Sequence, residues 1–413
     1  MLIIENLELE VKLPIYQVEG FLIKTEPNIH ASLYMFGVLT ENPAESIFTD
    51  KKNMDIQVKH EGKTLFRGFV DELKIDSDAN VHRFELNACS YSKEADKDKH
   101  TELFQAMNET YMDISRSVMK KYLGDIRVYD VNDKDIEKPL LCYKESAWEF
   151  AIRMASNLKT FIYPDMTSDK PIISMGIKEG KVIEPKDIIS ESREIKKDKG
   201  NTQRSEYRLR TYGSYEIGDR VRVGDRVLVL YKKEAEFTKG ELIFNFHGIE
   251  KTDIKEMVKP FYNENIIGLS LMGKIKKYEN KKIYISLDID KKESKYGVNW
   301  YPETGNTLYA IPEAGEKAEL YISGVKPGEM YVVRTFSSKG KDEKQKTLEI
   351  GSQSFNLLED GVSFNSDDVL MIKDKSLKLT GNGGLSISAT GKIHIKARNI
   401  RMNSKDDIVY VSE

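Results

Sequence analysis

The sequence predicts a mainly β protein with a minor helical part, and three patterns carry that expectation. Short runs that alternate apolar and polar residues recur through residues 1–92 and 205–250, as half-buried strands do. Two stretches, near 101–123 and 145–159, switch to helical spacing. The C-terminal stretch from Phe355 to Val411 repeats pairs of apolar residues separated by one polar residue. Together these give two β-barrel-like subdomains within 1–265, which also hold both helices. An OB-fold barrel follows over 266–340, then a C-terminal intertwined trimeric β-helix over 350–413.

In chain order, LELEVK, ASLYMFGVL, MDIQVKH, TLFRGFVDELKI and HRFELNACSY read as strands, with a hairpin turn at His60 to Lys63. TELFQAMNETYMDISRSVMKKYLG then sets Leu103, Phe104, Met107, Tyr111, Ile114, Val118 and Tyr122 on one helical face. Gly124 sits just past its end, where a cap is expected. A second helix is expected from ESAWEFAIRMASNLK, with Glu145 and Ser146 at its start and Trp148, Ile152, Ala155 and Leu158 along one stripe. Residues 177–203 are charge-rich and read as loop and edge structure. Strands resume at EYRLRTYGSY, and DRVRVGDRVLVL reads as two strands turning at Gly224 and Asp225. Residues 251–265 show no clear period and mark a boundary. Five strand-like pieces follow, including NTLYAIP and KAELYIS, as a small closed barrel requires.

The C-terminal pairs are Val362/Phe364, Leu370/Ile372, Leu377/Leu379, Leu385/Ile387, Ile393/Ile395, Ile400/Met402 and Ile408/Tyr410. From Leu370 their first members step by 7, 8, 8, 7 and 8 residues, with polar turn-forming links such as TGNGG and SATGK between them. A spacing of two puts both members on one face of a strand, and strands this short leave that face uncovered. Several identical chains wrapped round one axis close such a repeat most simply, and three is the smallest closed prism. A meander of hairpins on a sandwich and a single-chain solenoid are the alternatives. In the trimeric reading the shared core is Phe364, Leu370, Ile372, Leu377, Leu379, Leu385, Ile387, Ile393, Ile395, Ile400, Met402 and Ile408.

Composition excludes several functions. The 64 basic and 67 acidic side chains leave a net charge of −3, so no overall field favours nucleic acid or an anionic membrane. No apolar run approaches the ~18 residues of a membrane helix. MLIIENLELEVKLP has glutamates where a signal peptide has its basic and apolar regions, so export by that route is not expected. Cys89 and Cys142 lie in separate strand-like settings and read as small buried hydrophobes rather than a disulfide. GKT at Gly62 to Thr64 sits in a hairpin and lacks the first glycine of a phosphate loop. His60 and Glu61 have no second histidine at zinc-protease spacing, and no Gly-x-Ser-x-Gly elbow occurs. GNGG at Gly381 to Gly384 reads as a tight turn rather than an anion nest. No catalytic residue, cofactor or metal is therefore expected.

Four stretches together resemble one family. SYSKEADKDKHTELFQAMNETYMDI is similar to a segment in which an acidic run precedes a Phe-Gln pair opening a helix, here Phe104 and Gln105. YKESAWEFAIRMASNLKTFIYPD resembles a Tyr-x-Glu-Ser-x-Trp-Glu-Phe helix on Tyr143, Glu145, Ser146, Trp148, Glu149 and Phe150. NTLYAIPEAGEKAELYI is similar to a barrel turn on Pro312, Glu313, Gly315 and Glu316, and the paired repeat follows. In this order they resemble the VgrG-type spikes of type VI secretion and the hub and spike proteins of contractile phage tails. The resemblance implies a homotrimeric hub, an OB-fold collar and a β-helical needle that caps an inner tube and leads it through the target envelope. It implies inner tube and baseplate proteins as partners, transient contact with the target membrane, and a PAAR-like tip protein at Val409, Tyr410 and Val411. It further implies synthesis in the bacterial cytoplasm and assembly into a virion, bacteriocin or secretion apparatus. The family's His-x-His iron site has no counterpart, because the needle carries only His394. The rival reading is a receptor-binding fibre or adhesin with a glycan-binding stalk, which the short, charged, aromatic-poor needle surface disfavours.

Overall fold

The computed structural model describes residues 2–4, 7–43, 54–79, 81–105, 108–184, 187–197, 203–290, 296–302, 311–336, 346–350, 352–366, 370 and 375–411. They fall in two compact units, Met1–Ser337 and Ser338–Glu413. The fold is mainly β, with three short α-helices among the described residues: α1 (Tyr111–Lys120), α2 (Ala147–Asn157) and α3 (Lys251–Met257). Among the described residues no helix is long and apolar enough to cross a membrane.

A thirteen-stranded sheet dominates the first unit. From one edge it runs through Leu2–Ile4, Leu7–Val11, Met54–His60, Lys63–Asp78, Val81–Ser90, Ser32–Leu39 and Ile15–Thr25. It continues through Arg226–Thr238, Glu241–Glu250, Gln203–Thr211 and Ile188–Lys197, while Arg220–Val223 and Val182–Ile183 branch from Arg226–Thr238. Two sets of strands distant in sequence thus join along one antiparallel seam, Gly20–Thr25 against Lys233–Thr238. Phe21 and Phe237 stack across it at 5.3 Å, and Lys24 pairs with Glu234 at 3.7 Å. One core spans both sets and includes the fully buried Phe66, Phe84, Phe244 and Phe246. The hairpin turn at Glu61 and Gly62 has both residues at positive φ, as a two-residue turn between twisted strands demands.

Residues 93–177 differ from expectation in two places. The helix predicted from Thr101 begins only at Tyr111, where the Thr110 hydroxyl accepts from Asp113 N at 3.1 Å. His100–Phe104 is instead a strand, antiparallel to Leu140–Glu145. Leu103 and Phe104 therefore point to opposite faces, and Phe104, Leu140 and Cys142 enter a core made with α1 and α2. Met107, also placed on the predicted helical face, lies outside the described residues. The left-handed residue after α1 is Leu123, with φ of 57°, rather than Gly124. Gly124 is required by close approach, since a Cβ there would stand 2.4 Å from the Pro171 carbonyl.

The second helix forms where predicted. Ser146 and Glu149 make a reciprocal capping box, both bonds 3.0 Å, and Trp148, Ile152, Ala155 and Leu158 are all buried. Within 251–265 the structure adds α3, whose Ile254 and Met257 pack beside Phe161, Tyr163 and Val258.

The strands Ser270–Glu279, Lys282–Leu287, Asn299–Trp300, Lys317–Ile322 and Met330–Phe336 form a five-stranded sheet. The first pairs with the second and fourth, the fourth with the fifth, and the third runs parallel to the fifth. Ile283 and Val298 exchange two backbone hydrogen bonds of 2.8 and 2.9 Å, which closes the ring with OB-fold connectivity. The third strand among the described residues is Asn299–Trp300, and most of the expected NTLYAIP strand lies outside them.

The second unit begins with an antiparallel meander, Lys346–Ile350, Gln353–Leu358 and Gly361–Asn365. The pair Val362/Phe364 belongs to this meander rather than to the repeat after it, and Phe364 meets Phe355 at 4.7 Å. Beyond Asn365 the described residues form no strand within the single chain.

Candidate functional site

The first two stretches quoted for the resemblance lie where the helical core and the barrel core meet. Along the paired strands His100–Phe104 and Leu140–Glu145 the two-residue period divides the side chains. Leu103 and Leu141 belong to the five-stranded barrel's core, whereas Phe104, Leu140 and Cys142 belong to the helical core. Gln105, buried, donates from Nε2 to Asp290 of the barrel at 2.6 Å. Asn263 donates to the Tyr143 carbonyl at 2.8 Å. At the barrel's own turn, Gly315 takes φ of 98° and donates to the Ile275 carbonyl at 2.8 Å, with Pro312 buried beside it.

Glu145 and Arg153 form a bidentate buried pair at 2.8 and 2.6 Å, and the same guanidinium donates to the Leu141 carbonyl at 2.8 Å. Arg153 also lies over the Phe150 ring at 5.1 Å, and Phe150 meets Phe104 at 5.6 Å. Trp148 covers the His30 imidazole at 4.0 Å. The Tyr-x-Glu-Ser-x-Trp-Glu-Phe stretch thus holds helix α2 onto the strand pair and the large sheet. The side chains of Glu145, Ser146 and Glu149 are each bonded to another protein group.

One constellation escapes sequence reasoning, because its members are scattered and no spacing joins them. His30 Nδ1 meets Ser92 Oγ at 2.8 Å and its Nε2 faces Asp96 at 3.4 Å. That is the composition of a nucleophilic triad, but a nucleophile must reach its substrate. Ser92 is fully buried and already bonded to Ser90 Oγ at 2.8 Å, and Asp96 accepts from the Ser146 hydroxyl. Burial pushes the His30 pKa down, partly opposed by Asp96, so the ring is held neutral. The network fastens the end of strand Val81–Ser90 to the cap of α2.

A second buried network lies under the seam. Glu206 accepts from Tyr231 Oη and faces His247 Nδ1, both at 2.6 Å, and also accepts from Lys196. The His247 hydrogen bond is the largest influence holding its carboxyl well below the usual range. Both cysteines are free thiols; burial pushes each upward and disfavours thiolate. Among the described residues no group of three or more His, Cys, Asp and Glu is placed to hold a metal.

The repeat residues belong to the second unit. Leu370, Leu377, Leu379, Leu385, Ile387, Ile393, Ile395, Ile400, Met402 and Ile408 are between 49% (Ile408) and 74% (Ile395) exposed, and Phe364 is also exposed. Ile372 lies outside the described residues. Val409, Tyr410 and Val411 are also exposed, Tyr410 and Val411 more than any of the residues above.

No family model and no curated sequence matches the chain. Solved structures do. The fold is shared with solved structures described as type VI secretion and VgrG-complex components. The chain is similar to the E. coli c3393 protein, described as a type VI secretion component with structural similarity to the T4 tail proteins gp27 and gp5. The TM-score is 0.58 at 11% identity, over 79% of this chain and 99% of that one. It is also similar to a chain of the Francisella PdpA-VgrG complex in its half-lidded form, at TM-score 0.55 and 10% identity, over 87% of this chain and 84% of that one. The lidless form of the PdpA-VgrG complex gives 0.53 at 11% identity, over 84% and 89%. At this identity the likeness establishes the fold.

Proposed function

We propose that three copies of this chain form the central hub and spike of a contractile injection machine. The observation that carries the reading is the stripe of paired aliphatics after Asn365, whose described members are all about half exposed or more and left uncovered by their own chain. Covering each one fully stabilises by about 1.5–3 kcal/mol, so ten recurring positions supply ample drive for sister chains to wrap together. Residues 1–265 make the hub, 266–340 the collar and 350–413 the needle. The edge-to-edge seam supports a further point: two strand sets per chain give six similar units per trimer, a match for a six-fold tube.

The role is mechanical rather than enzymatic. The needle concentrates the force of sheath contraction on a narrow end, with Val409, Tyr410 and Val411 meeting a PAAR-like tip protein. Inner tube and baseplate proteins contact the hub, and the target membrane is met only in passing. The chain is made in the bacterial cytoplasm and works in an assembled particle. Light scattering on the purified chain tests this. A mass near three times 47.4 kDa is expected, and a monomer sinks the proposal.

A further inference from the structure

A cavity of about 230 Å3 opens in the first unit between the end of α2, the loop after strand Asp125–Val128, the strands of the large sheet and α3. Its wall is aliphatic, from Leu158, Ile177, Val229 and Ile254. Its lining carries six cations and two carboxylates. The carboxylates are already engaged: Glu179 with Arg220 at 3.0 Å and Asp130 with Lys251 at 2.9 Å. Lys134, Lys159, Lys178 and Lys255 remain, all exposed, and none forms an ion pair among the described residues. Four uncompensated ammonium groups round one hollow stand out in a chain whose net charge is −3.

Like charges gathered at one site repel, and an opposite charge placed among them relieves that cost. A bare inorganic anion meets the lysines but leaves the aliphatic wall in water. A neutral apolar body fills the hollow but leaves the lysines unpaired. A segment carrying carboxylates and aliphatic side chains together satisfies both requirements. We propose that this cavity is a docking site for an acidic, aliphatic peptide segment of a partner protein. The site is formed within one chain and does not depend on the trimer.

The test uses the full-length chain and a fluorescein-labelled peptide of alternating glutamate and leucine, followed by anisotropy. The peptide should bind, and binding should weaken as salt is raised, because exposed lysines are screened. Lys178→Glu combined with Lys255→Glu should weaken it by about tenfold or more. Both side chains are exposed, so the variant should keep the wild-type circular dichroism spectrum. Ile254→Ser reports separately on the wall and should weaken binding without altering the salt dependence. A lysine–leucine peptide should not bind. Three results overturn the proposal: no binding of the glutamate–leucine peptide, undiminished binding by the double variant, or displacement by inorganic phosphate at equal concentration. The last would make the cavity a simple anion site.

Discussion

In the strand Ser32–Leu39 every second side chain turns inward, and Leu33, Met35 and Leu39 sink into a core that the same chain closes. Between Leu377 and Ile395 the same two-residue spacing recurs, yet Leu377, Leu379, Leu385, Ile387, Ile393 and Ile395 all remain in solvent. The difference lies in what surrounds each stripe. Ser32–Leu39 has neighbours on both edges, Ile15–Thr25 and Val81–Ser90, and an opposing layer from the rest of the sheet. The tail's pairs are separated by turns after every seven or eight residues, too few for one chain to build a second wall. A period of two therefore specifies a face, and only strand length and neighbours decide whether the chain can cover that face itself.

The largest expected effect breaks the tail side of this contrast. In the proposed trimer Ile387→Asp would place three like charges on the shared axis, and it should abolish assembly while the first unit keeps its fold. Light scattering with circular dichroism checks both halves, and an intact trimer would remove Ile387 from the core. The next breaks the other side. Arg153→Ala leaves Glu145 buried and unpaired, which costs about 3–5 kcal/mol. The melting temperature of the first unit should drop, and the tail's assembly should not follow it.

A smaller effect sharpens the comparison. Ser146→Ala removes the α2 cap and the hydroxyl donated to Asp96, and should cost about 1 kcal/mol in a denaturant titration. Smallest is a pH effect confined to the first unit. The folded state holds His30 below its ordinary value, so as pH falls through about 6.5 the unfolded chain takes up a proton that the folded chain refuses. Stability present above that pH is lost below it. Glu206, held low, adds a second loss only as pH falls through the ordinary carboxylate range. The fall in melting temperature between neutral and mildly acidic buffer should shrink in His30→Gln, and an equal fall in both proteins would exclude His30 as its source.

Strands in the large sheet, the two-residue turn at Glu61 and Gly62, and helix α2 were legible because alternation, glycine chemistry and the Ser146/Glu149 signature all agree with the tertiary structure. Residues 100–104 were not. Leu103 and Phe104 fit a helical stripe continuing to Tyr111, but adjacent residues that feed two different cores demand a strand, and the sequence does not reveal that a second core lies there. Helix α3 buries none of its own residues, so it left no apolar period to read. Gly124 looked like a cap and proved to be a point of close approach, which depends on Pro171 forty-odd positions away. The resemblance motifs marked residues of structural weight, whereas the His30, Ser92 and Asp96 network carries no local signature.

The ladder between His100–Phe104 and Leu140–Glu145 has a mechanical corollary. With one face in each of two hydrophobic interiors, it ties the five-stranded barrel to the helices. A push along the barrel would load this ladder in shear, shared among several backbone bonds, and pass into the large sheet without a soft joint.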